Sequence, residues 1–94
     1  MPGRTRTPEL SGPHPLDVHL GGQIRRIRKR LRISQDRLAG EVGVTFQQIQ
    51  KYERGTNRVS FSMLVLISRA LDCRVQDLIG DLENDGQPLS EAGT

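Results

Sequence analysis

The stretch SQDRLAGEVGVTFQQIQKYERG, residues 34–55, decides the fold. Ser34 can cap a short helix from about Gln35 to Val42, with Leu38, Ala39 and Val42 as its inner stripe and Asp36 placed to suit the helix dipole. Gly43 ends that helix because it accepts a left-handed conformation. Thr45 then opens a third helix, with Gln48 three residues on in a capping-box pattern. Ile49, Tyr52 and Glu53 share one face of it, and Gly55 terminates it. Ala39 allows close helix approach, and Val44 can plug the turn over a wedge of Leu38, Val42 and Ile49. Two short helices joined by Gly43 and Val44 fit a helix-turn-helix. Taken alone they fit an ordinary helical hairpin equally well.

Outward from this stretch the patterning stays helical. A first helix is expected from Asp17, as N-cap, to Leu31, because Leu20, Ile24, Ile27 and Leu31 recur at helical spacing. Gly21 and Gly22 weaken its first half, each costing ~1 kcal/mol against Ala. Ser60 can cap a fourth helix, Phe61 to Leu71, apolar nearly all round and so expected at the centre of the domain. A fifth follows near Val75, with Val75, Leu78, Ile79 and Leu82 facing the core or a partner. No alternating strand or hairpin signal is present. The expected fold is an all-α five-helix bundle over 16–83. The Pro-rich residues 1–15 are read as a disordered arm, and 84–94 as a disordered tail.

Composition narrows the function. The chain has 94 residues, 14 Lys plus Arg against 11 Asp plus Glu, and a net charge of +3. One cysteine, Cys73, excludes an internal disulfide. No apolar run approaches the ~18 residues of a membrane span, and residues 1–16 lack the apolar region of a secretory signal. A cytoplasmic protein is expected. The charge is uneven: residues 17–60 hold 10 basic and 4 acidic residues, whereas 61–94 hold 2 and 6. A basic middle suggests a polyanion partner; a solvated helix face is the plainer reading.

The outer face of the third helix favours the partner. Gln47, Gln48, Gln50 and Lys51 are long polar residues with no acid before Glu53. Gln can pair bidentately with adenine, and Lys can donate to guanine O6 and N7. Gln35 and Thr45 stand at helix N-termini, where backbone N–H groups bind anions.

At these residues the chain resembles the XRE family, the helix-turn-helix of phage Cro and lambda-type repressors. The string IRRIRKRLRISQDRLAGEVGVTFQQIQKYERGTNRVSFSMLVLISRAL carries the resemblance, within about residues 18–82. Its segment GVTFQQIQKYERGTNRVS looks most like small regulators common in alphaproteobacteria. The resemblance implies a sequence-specific, double-stranded DNA-binding transcriptional regulator, a repressor, with helix 46–54 in the major groove. It implies base contacts from Phe46, Gln47, Gln50 and Lys51, and backbone contacts from Gln35, Thr45, Gln48, Asn57 and Arg58. Phe46 departs from the polar residue of many relatives; it can pack on a thymine methyl or cover the turn. Tyr52 is read as core.

Arg28 and Glu53 are opposite charges on facing apolar stripes, and an isolated buried charge is costly, so they are expected to pair and aim the third helix. Relatives place an Arg of the first helix against this Glu. A homodimer on DNA is expected, with Leu78 and Leu82 as its candidate surface. His14, His19 and Cys73 match no zinc spacing, and neither histidine offers a Ser-based triad. No metal, cofactor, small-molecule substrate or enzymatic role is expected. The alternative function is an antitoxin or protein-interaction module acting through Leu78, Ile79 and Leu82. The short chain is expected to leave little room for a sensor.

Overall fold

Five helices follow one another along residues 12–80, the part described by the computed structural model. They are α1 (Pro15–Arg30), α2 (Gln35–Val42), α3 (Phe46–Arg54), α4 (Phe61–Ala70) and α5 (Val75–Ile79). No strand occurs among the described residues. α1 packs on α3 and α5, α2 packs on α3 and α4, and α4 touches α5. Ile24, Leu38, Ile49, Ile67, Leu71 and Leu78 are fully buried where these helices meet.

α1 begins earlier than Asp17. Pro15 occupies its first turn, and the His14 side chain caps it by accepting from Leu16 N–H at 3.0 Å. Proline suits that position because its fixed φ is already helical and its missing N–H would have no partner there. Pro15, read from the sequence as the last residue of the arm, belongs to α1; residues 1–11 and 81–94, with Leu82 and the tail, lie outside the described residues.

α1 also ends earlier than Leu31. Arg32 adopts a left-handed φ of 61°, its N–H reaching Lys29 O and that of Ile33 reaching Arg28 O. This turn leaves Leu31 45% exposed and packs Ile33 against the core in its place.

The two glycines of α1 differ. A β-carbon on Gly22 would meet nothing within 4 Å, whereas one on Gly21 would collide with the carbonyls of Tyr52 and Glu53. Gly21 is the point where α1 lies directly on the last turn of α3. Beyond it, His19 Nε2 lies 2.8 Å from Ile79 O, and Gln23 Nε2 donates to Asp77 O. These side chains satisfy carbonyls at the end of α5.

α4 is peripheral, contrary to its composition. Leu64, Ile67 and Ser68 are buried, but Phe61 is 75% exposed and Leu66 42% exposed. Its main packing is on α2 and α5, which leaves Phe61 and Leu66 in solvent. Leu78 corrects another expectation: it is completely buried and closes the core, so it presents nothing to a second copy or a protein partner.

Candidate nucleic-acid interface

The α2–turn–α3 unit is built from local signals. Ser34 Oγ accepts from Arg37 N–H at 2.9 Å, and Thr45 Oγ1 accepts from Gln48 N–H at 3.1 Å. Each cap satisfies a first-turn N–H that its helix cannot. Gly43 has φ 78°, and the N–H groups of Gly43 and Val44 both reach Ala39 O. Val44 is half-buried against the core from within the turn.

Successive α3 residues turn by about 100°. Ile49, Tyr52 and Glu53 therefore share the buried side, and Gln47, Lys51 and Arg54 project on the exposed one. Phe46 is exposed at the flank. Gln48 and Gln50 are half-buried, and Gln50 lines a notch with Arg25 and Gln35 instead of standing among the outermost side chains.

The acid of α3 is turned inward and neutralised. Glu53 Oε2 accepts from Arg28 Nε at 2.6 Å, while Oε1 accepts from Arg28 Nη2 at 3.0 Å and from Gln35 Nε2 at 2.9 Å. Arg28 Nη1 also donates to Ile33 O at 2.9 Å. One guanidinium thus ties α1 to α3 and to the loop before α2. Because Glu53 is only 7% exposed and doubly bonded to arginine, the outer face of α3 presents amides, Phe46 and cations. Gln35 reaches inward to Glu53 through its amide nitrogen, a role that its position at the helix start did not reveal.

The loop after α3 is stapled to the helix. Lys51 O accepts from Thr56 N–H, Thr56 Oγ1 and Asn57 N–H. Gly55, with φ 79°, lies against Val18 of α1. Asn57 and Arg58 therefore hold a set place beside α3. Arg58 Nε donates to Asp17 Oδ2 at 3.2 Å, an exposed pair that screens Arg58 without burying it.

A family model described as Helix-turn-helix matches residues 24–78. The chain belongs to this family, the XRE-type helix-turn-helix proteins. An uncharacterized HTH-type transcriptional regulator of Sinorhizobium medicae is 49% identical over 74 residues, covering 79% of this chain and 53% of that protein. The chain spans about half the length of the curated relatives it matches. The P22 c2 repressor, solved in complex with a synthetic operator, is 36% identical with a TM-score of 0.59, covering 63% of this chain and 89% of that one. The restriction-modification controller protein C.AhdI of Aeromonas hydrophila is 30% identical with a TM-score of 0.63, covering 65% and 92%. The helix-turn-helix protein thus has the lambda-repressor-like fold its sequence resembles.

The remaining surface is less directed. A larger cavity of about 730 Å³ lies between α1 and the α4–α5 turn, lined in part by Leu31, Leu71 and Cys73. Burial raises the Cys73 thiol above its usual range, and the nearby Asp77 and Asp72 add to the rise. No cluster of His, Cys, Asp or Glu among the described residues could hold a metal, and no helix there is long and apolar enough to cross a membrane.

Proposed function

We propose that this helix-turn-helix protein binds double-stranded DNA sequence-specifically and represses transcription by occluding a promoter. α3 lies in the major groove, and α2 crosses the backbone. The observation that carries this reading is the acid-free outer face of α3: its carboxylate is buried on Arg28, so nothing on that face repels phosphate. Gln47 and Lys51 read base edges, and Phe46 packs on a thymine methyl or covers the turn. Thr45, Gln48, Asn57, Arg58 and Gln35 contact the sugar-phosphate backbone. Gln50, expected from the resemblance among the base contacts, is assigned to the backbone because it is half-buried in the notch with Arg25 and Gln35. The P22 c2 repressor with its operator supports the same use of the fold.

The protein acts as a homodimer on two half-sites about 34 Å apart. A chromosomal target implies the cytoplasm, and no cofactor enters the mechanism. Selection of duplexes from a random pool tests the reading. A palindromic motif bound with a steep loss of affinity as salt rises is the expected result; salt-insensitive retention without sequence enrichment would refute it.

A further inference from the structure

Arg25 and Arg54 line a common notch of about 280 Å³, together with Gln35, Gln50 and Glu53. It lies where α1, the first residue of α2 and the last turn of α3 meet. Its carboxylate is already committed, since Glu53 holds Arg28 through both oxygens and also takes the Gln35 amide. Two guanidinium groups remain, and among the described residues no carboxylate pairs with either. With the Glu53 carboxylate neutralised by Arg28, the notch keeps a net positive charge from Arg25 and Arg54, and such a cleft concentrates anions.

We propose that Arg25 and Arg54 clamp one phosphate of the DNA backbone, which makes α1 part of the nucleic-acid interface. This rests on the duplex-binding reading above. Guanidinium forks match the two unesterified oxygens of a phosphodiester. Gln50 supplies a further amide donor, and the start of α2 supplies backbone N–H groups. Arg54 follows Lys51 by three residues, about 4.5 Å along the helix axis, so one exposed face of α3 carries both a base reader and a phosphate holder. The clamp fixes how far α3 enters the groove, because it grips the backbone from the helix that Arg28 locks to α3.

The test uses the full chain and a duplex that it enriches from a random pool. Arg25→Gln and Arg54→Gln are compared with Arg69→Gln, an exposed cation on α4 outside the notch. Each notch variant should melt like the parent, bind every sequence about tenfold more weakly near ~0.1 M salt, and flatten the log-affinity against log-salt slope by about one unit. Arg69→Gln should change neither quantity. A scan of neutral methylphosphonates should find one phosphate per half-site whose loss weakens the parent but not the notch variants. Parent-like affinity and slope in Arg25→Gln, or an equal loss in Arg69→Gln, would overturn the clamp and leave DNA binding intact. No salt-dependent duplex binding by the parent would overturn the underlying reading, and the clamp with it.

Discussion

A β-carbon on Gly21 would stand 2.6 Å from the carbonyl oxygen of Glu53. The absence of a side chain at that point lets α1 lie on the turn that carries both Glu53 and the cap at Gly55. Gly21→Ala should therefore lower stability by roughly 1–3 kcal/mol or more through overpacking against backbone. Gly22→Ala, with open space around it, should raise stability by roughly 0.5–1 kcal/mol. Urea unfolding of the two variants checks the contrast. Helix propensity alone cannot produce it, since both positions are helical and would gain alike from alanine.

Arg28→Ala strands the buried Glu53 carboxylate with only the Gln35 amide. Loss of one partner of a buried pair costs about 3–5 kcal/mol. Replacing both, with Arg28→Met and Glu53→Leu, should recover most of that loss. A double-mutant cycle in denaturant measures the coupling, and an Arg28→Ala protein as stable as the parent would contradict the role given to this pair.

Gln47→Ala and Lys51→Ala should relax sequence preference and weaken binding to the preferred duplex by roughly 1–3 kcal/mol each. Arg58→Ala should weaken all duplexes alike. Asp17→Asn should act in the opposite direction, because it frees Arg58 and removes a nearby negative charge. Fluorescence anisotropy across a panel of duplexes separates these effects.

Leu78→Ala should cost about 2–5 kcal/mol, the usual range for a truncated core leucine. It should leave the oligomeric state on DNA unchanged at temperatures where the variant is folded. Sedimentation with and without duplex checks the second point.

The Cys73 thiol should alkylate slowly at neutral pH. Its raised pKa keeps the thiolate fraction low, so the rate should climb only above the usual thiol range. Asp77→Asn removes part of the opposing charge and should shift the rate profile toward lower pH. The pH dependence of iodoacetamide labelling measures both.

Sequence by itself determined the two short helices and the turn between them, because their punctuation is local. That local pattern fitted a plain hairpin equally well, and the polar outer face of α3 with the family resemblance chose the helix-turn-helix. Ser34, Thr45 and Ser60 cap whatever helix follows them, and Gly43 and Gly55 stop the helix before them, through bonds spanning three or four residues. The pairing of Arg28 with Glu53 was also legible, since a charge on an apolar stripe demands a partner. The start of α1 carried a readable sign in Pro15, whose ring favours a first turn.

Tertiary structure alone decided what a helix face meets. Leu31 and Leu78 are both leucines on apolar stripes, yet a left-handed Arg32 leaves one half-exposed while α1 and α4 bury the other. Gly21 and Gly22 differ only in the presence of α3 beyond one of them. Arg25 and Arg54 lie 29 positions apart, so only the packing of α1 on α3 brings them to one notch. Periodicity assigns residues to faces within one helix; which face is covered, and by what, depends on contacts between elements distant in the chain.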